Sequence, residues 1–345
     1  MAIRLTVISI IVSMLAGWIT GRQSEQAILK TNQDNDAMRW QTTRQEEFLG
    51  YENCRKCHQL QVDKLVTTVH FKSYETTHRS AQSRKICQQL GIRSIKRSER
   101  CIRCHYTPEI SRRGVKAQSG ISCESCHGPS KNWIKGHNDY GGLLVTKRRE
   151  SAEHKQFRIS SSIEKGMRHP SNLYLLAKSC YECHLVNDAE LVDTTDHPPI
   201  STGFDMVSWS QGSMRHNFLR TDNKHNAEST PERLRVMYVV DLMAKIEATL
   251  RASATSPANS NHHQFLIQQY ESTAKQLFQV SQLVSNVGIS GVINQLKNTP
   301  PDASSDQKIA AAKQVAQLAF KFGKNEKAHS LEAIQSLLPA KETYR

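Results

Sequence analysis

Residues 53–80 read NCRKCHQLQVDKLVTTVHFKSYETTHRS, and the pentapeptide CRKCH at 54–58 decides how the chain is read. A Cys-x-x-Cys-His unit sets two thiols one helical turn apart, where both reach the vinyl groups of one haem, and sets the next imidazole under the iron. The spacing recurs as Cys101, Cys104 and His105, as Cys123, Cys126 and His127, and as Cys180, Cys183 and His184. The four units use eight of nine cysteines and four of fifteen histidines. Disulfides, zinc or redox dithiols would also use paired cysteines, yet none of them requires histidine after every second cysteine. Four covalently attached haem c groups are therefore expected, with Cys87 left over as a shielded thiol.

The first residues, MAIRLTVISIIVSMLAGWITGRQ, carry one basic residue and then an apolar run from Leu5 to about Thr20. That run is short for a membrane span and suits a signal peptide, while AGWITG makes a poor cleavage site. Residues 1–22 are thus expected to be a signal peptide or an N-terminal anchor. A periplasmic chain follows, tethered to the inner membrane wherever the anchor stays uncleaved.

With 345 residues, 38% hydrophobic residues and a mean hydropathy of -0.56, the chain is polar for its length. Four macrocycles would supply apolar surface that side chains otherwise provide, so folding of the first part should depend on cofactor. Composition changes near Thr230. Residues 45–230 hold every cysteine, in short segments broken by Gly and Pro, and predict a tetrahaem domain of short helices and loops around stacked haems with little sheet. From Pro231 the pattern turns helical: Leu234, Met237, Val240 and Met243 or Ala244 share one face. A second helix from His262 should stop at Gly288, and Ser305 with Asp306 should cap the last long segment, which breaks near Gly323. Residues 231–345 are read as a helical bundle for docking or packing. The fold class is mainly α.

Lys and Arg number 46 against 32 Asp and Glu, a formal charge of +14. The basic residues are scattered and the expected compartment lacks nucleic acid, so nucleic acid is excluded as partner. A redox protein with an acidic face fits better, within a complex linked to a membrane cytochrome or to quinone, and with the chain as an oligomer or a subunit. The segments 93–100 and 147–149 are the candidate faces.

Each iron has a second axial position, and eleven further histidines compete for four of them. His70, His78, His137, His197 and His216 are the candidates by spacing; His154, His169 and His225 are weaker. His262, His263 and His329 lie in the helical appendix and read as surface or packing residues. Trp133 and Trp209 are explained equally by contact with a macrocycle or by ordinary core packing.

CRKCH at 54, CIRCHYTPE at 101, CESCHGPSKNWIKGH at 123 and CYECH at 180, with TTVH at 67 and WSQGSMRH at 209, resemble one family. It is the tetrahaem cytochrome c family that includes the ammonia-oxidiser electron acceptor for hydroxylamine oxidoreductase. The resemblance covers residues 50–220, about half of the chain. It implies three bis-histidine haems and one five-coordinate haem, with His58 paired to His137, His127 to His216 and His184 to His70, and with no protein ligand opposite His105. His78 and His197 remain competitors for these positions. The function it implies is electron transfer between an oxidoreductase and a membrane-linked redox chain. The alternative is a haem enzyme acting on a small nitrogen compound at an open haem on His105.

Overall fold

The computed structural model describes residues 47–201, 203–324 and 330–345. It is mainly α, with the attachment motifs in the first part and long helices in the second. The first part runs through α1 (Tyr51–Arg55), α2 (Gln59–Leu65), α3 (Val69–Thr76), α4 (Ala81–Gln89) and α5 (Glu99–His105). A hairpin of β1 (Thr107–Ser111) and β2 (Gly114–Ser119) follows, antiparallel, with Glu109 opposite Lys116. Then come α6 (Cys123–His127), α7 (Ala152–Glu164), α8 (Leu173–His184), α9 (Ala189–Thr194) and α10 (Met206–Gln211). Short helices have few internal bonds, so local caps start them: Thr68, Ser80, Ser151, Asn172, Asp188 and Asp205 each accept a backbone N–H with the side chain.

The second part contains α11 (Pro231–Thr255), α12 (Asn261–Leu283), α13 (Val287–Lys297) and α14 (Ser305–Gly323). Thr230 caps α11 with Pro231 in its first turn, where a missing N–H costs nothing. Val236, Val239, Val240, Met243, Ala244, Ile246 and Leu250 are all buried, so α11 is covered on more than the single face its periodicity suggested. It packs against α8, α10, α12 and α14 as the central rod of the bundle. Gly288 does not end the second helix. α12 stops at Leu283, and Asn286 accepts from the N–H groups of Gly288 and Ile289 to start α13. The cap of α14 is Ser304 rather than Ser305, with Gln307 closing a capping box. Beyond Gly323 the described residues form 3-10 turns at Glu332–Leu337 and Lys341–Thr343.

One large apolar core runs from Ile163 and α8 through the bundle to Ile334. The helix that ends in CYECH is therefore part of the bundle's core. The motif-bearing side has only two small clusters among the described residues, Ile86 with Val186 and Leu191, and Ile102 with Tyr106 and Ala117.

The expected localisation is corrected. Among the described residues no helix is long and apolar enough to cross a membrane. The longest, α11, carries Arg233, Arg235, Asp241, Lys245, Glu247 and Arg251 along its length. Residues 1–22, on which the expectation of a tether rested, lie outside the described residues, as does His329.

Candidate haem-attachment and axial-ligand site

All four Cys-x-x-Cys-His units end a helix: α1 with its C-terminal turn, α5, α6 and α8. A short helix is what brings the two thiols to one side with the histidine just beyond them. Among the described residues no disulfide joins two cysteines. Among the described residues, too, no group of three or more His, Cys, Asp or Glu is arranged to hold a metal ion.

The histidines are arranged in facing pairs. The His58 and His137 rings are 6.3 Å apart between centres, His70 and His184 5.8 Å, and His127 and His216 6.2 Å. Metal–imidazole bonds of about 2 Å on each side, with the two ring radii added, put axial imidazole centres roughly 6 Å apart. Ordinary aromatic pairs overlap that range. What separates this arrangement from packing is its regularity: each motif histidine faces a histidine from outside the motifs. The fourth pair departs from the expectation that His105 stands alone, because His197 faces it at 6.1 Å.

Ring orientation is fixed from behind. His137 Nδ1 lies 2.6 Å from the Ile134 carbonyl oxygen, His216 Nδ1 2.6 Å from that of Met214, and His197 Nδ1 2.9 Å from that of Pro198. A carbonyl only accepts, so each Nδ1 carries the proton and each Nε2 keeps its lone pair for a metal. His127 Nδ1 is held in the same way by the Arg168 carbonyl at 3.1 Å. His70 Nδ1 contacts Met214 Sδ at 3.0 Å, while His184 Nδ1 is buried without a partner. Burial lowers the pKa of His105, His127 and His184 to about 4 and also lowers those of His58, His70, His137 and His197. The imidazoles are thereby kept neutral, the form that binds metal. The donor set, the free lone pairs and the sparse apolar core on this side fit haem.

The motifs are also neighbours. Glu124, between the cysteines of the third motif and fully buried, accepts from Leu49 N at 3.0 Å, Gly50 N at 2.7 Å, Ser130 N at 2.8 Å and Ser130 Oγ at 2.7 Å. It clamps the segment that starts the first motif's helix to the third motif. Arg168 joins the third motif to the fourth, its carbonyl on His127 and its guanidinium 2.6 Å from Glu182. The fourth meets the second where Cys183 Sγ lies 3.5 Å from the Arg103 carbonyl. His70 is tied in as well, for its carbonyl accepts from Ile121 N at 3.0 Å.

The other candidates go elsewhere. His154 pairs with Glu150, His169 with Ser171, and the buried His262 with Val186 O and Ser256. His78 lines a cavity of about 240 Å³ with Cys87, Arg84, Arg93 and Lys96. Trp133 lies 5.3 Å from His137 and Trp209 6.3 Å from His70, each with a buried indole N–H that has no partner. Phe204 stacks on His184 at 4.0 Å. Spacing missed the roles of Glu124 and Met214. The sequence signal for His197 was Pro198–Pro199, which commits the preceding residues to extended backbone.

Residues 53–128, which hold the first three motifs, match the family model described as cytochrome c554 and c-prime. The chain is 26% identical over 102 residues to cytochrome c-554 of Nitrosomonas europaea, a match covering 27% of this chain and 43% of that protein. The chain thus spans less than half the length of the curated relative it matches. No solved structure matches it. At this partial coverage and low identity, the chain has family-level similarity to the cytochrome c554 and c-prime proteins.

Proposed function

We propose that the chain is a tetrahaem c-type cytochrome that transfers electrons between redox proteins. Cys54 and Cys57, Cys101 and Cys104, Cys123 and Cys126, and Cys180 and Cys183 would each carry one haem. His58, His105, His127 and His184 are the proximal ligands, and His70, His137 and His216 are distal ligands. The observation that carries the reading is the facing of every motif histidine by a second histidine at 5.8–6.3 Å. Haem iron supplies one-electron chemistry. The residues supply imidazole nitrogens at each site and attachment points that adjoin in the order first, third, fourth, second. Family-level similarity to cytochromes supports the same role. Potentiometric titration of the holoprotein should show four one-electron waves per chain, and titration to fewer than four would sink the proposal.

The partner is a redox protein with an acidic face. Leu143 and Leu144 are fully exposed at the tip of a loop that continues into Lys147, Arg148 and Arg149. The loop's base is fixed near His137, where Arg158 donates to the His137 carbonyl at 2.6 Å and pairs with Glu150 at 2.7 Å. An apolar centre with a basic rim suits such a partner. Reversing Arg148 and Arg149 to Glu should slow electron exchange with an acidic cytochrome at low salt, and the difference should fade as salt rises. An unchanged rate would move docking to another face. Residues 231–345 serve this assembly by anchoring α8 in a rigid core.

A further inference from the structure

We infer that His197 is the sixth ligand of the haem carried at His105, so that this haem is six-coordinate like the other three. The inference rests on the tetrahaem reading above and concerns the one position where an open iron was expected.

Three observations carry it. The His105 and His197 ring centres are 6.1 Å apart, inside the 5.8–6.3 Å range of the other three pairs. His197 Nδ1 faces a neighbouring backbone carbonyl, that of Pro198, as His137 and His216 do with Ile134 and Met214. The same tautomer is fixed in all three, with Nε2 left to bind. His78, by contrast, makes no ring contact with any motif histidine among the described residues.

The loop that carries His197 is held at several points. Its own N–H donates to Thr195 Oγ1 at 3.1 Å. Asp196 is paired with Lys85 of α4 and accepts from Gln82 through its carbonyl at 2.9 Å. Beyond the prolines, Val186 N donates to Pro199 O at 2.9 Å and Ser201 N to His184 O at 3.1 Å, which laces the loop to the end of α8. Upstream, Asp188 accepts from Arg100 Nε at 2.6 Å in a two-pronged pair, and Arg100 lies on α5, the helix of His105. That pair ties the segment leading to His197 to the helix of the opposing imidazole. A bidentate Arg–carboxylate contact sets orientation as well as distance. Pre-setting of this kind favours a ligand that stays bound over one that swings away.

The test is the spin state of the oxidised holoprotein, read by magnetic circular dichroism and electron paramagnetic resonance with haem counted on the same sample. The wild-type protein should hold four low-spin haems per chain. His197→Ala should convert one of the four to high spin, free imidazole should return it to low spin, and His78→Ala should change nothing. One high-spin haem in the wild-type protein, unaltered by His197→Ala, would overturn the assignment, as would a haem opened by His78→Ala. If His197→Ala does not accumulate, the wild-type spectrum decides, because four low-spin haems require a ligand opposite His105 and one high-spin haem excludes it. A haem count below four strikes the tetrahaem reading itself and is told apart from failure of the ligand by that count.

Discussion

Glu124 lies between Cys123 and Cys126, and its carboxylate collects four hydrogen bonds, from Leu49 and Gly50 just before the first motif's helix and from Ser130. Removing it strands those donors in a buried place, so Glu124→Ala should destabilise the holoprotein by roughly 3 kcal/mol or more in denaturant titration. A loss below about 1 kcal/mol would show that water replaces the clamp. The residue after the third motif is equally constrained. Gly128 has φ +85°, and a Cβ there would meet the Gly166 carbonyl at 2.4 Å. Gly128→Ala should therefore displace the Gly166–Arg168 backbone that holds His127 and lower thermal stability by several degrees. The motif residues themselves were legible because attachment chemistry demands fixed spacing. Glu124 was not, because which way a variable residue of the motif points depends on packing from a segment over seventy residues away. His197 was only half legible: its place on a Pro-Pro loop stood out, but its counterpart is set by the ion pair between Arg100 and Asp188.

At the scale of elements, α8 does two jobs: its C-terminal turn carries Cys180, Cys183 and His184, and its apolar face lies in the core built around α11. Buried polar contacts join the two helices. Tyr174 donates to Glu247, which also pairs with Lys178 at 3.4 Å and Arg251 at 2.8 Å. Burial alone would raise the pKa of Glu247, and Lys178 and Arg251 hold it low instead. Tyr181 donates to Asp241 at 2.8 Å. Burial pushes Asp241 up to about 7; Asp205 adds to the rise, whereas Tyr181, the Met206 N–H and Lys245 oppose it. A carboxyl raised on folding stabilises fully below its unfolded pKa and loses that contribution as pH climbs to the folded one. Stability should thus decline from about pH 4 to about pH 7. Asp241→Asn should remove this slope and leave the variant more stable at pH 8, by up to roughly 4 kcal/mol, with the two proteins equal near pH 4. Parallel pH dependences would contradict it. The helices of this half were legible from periodicity and from Pro231. Their junctions were less so, since Asn286 outcompetes Gly288 as punctuation by capping a new helix, and Ser304 gains over Ser305 through its partner Gln307.

At the scale of the molecule the described residues are asymmetric, with a large apolar core under α8 and the bundle and, among those residues, only small clusters beneath the motifs. The mainly α class was legible from composition. What composition left hidden is that the fourth motif's helix belongs to the bundle core, because α8 reads as a short segment until α11 is there to cover it. Haem-free chain should keep the helices from α8 onward and lose the structure of residues 47–170, which limited proteolysis would read as a resistant C-terminal fragment. Uniform digestion would mean that the motif-bearing side folds without haem. The proposed electron path needs one haem on each Cys-x-x-Cys-His unit. Mass spectrometry of the intact, denatured holoprotein tests it most directly, since thioether-bound haem stays with the chain. The expected mass is that of the polypeptide plus four haems, falling by one haem when both cysteines of any one motif are replaced. Polypeptide mass alone, or a mass that does not respond to those replacements, would contradict it.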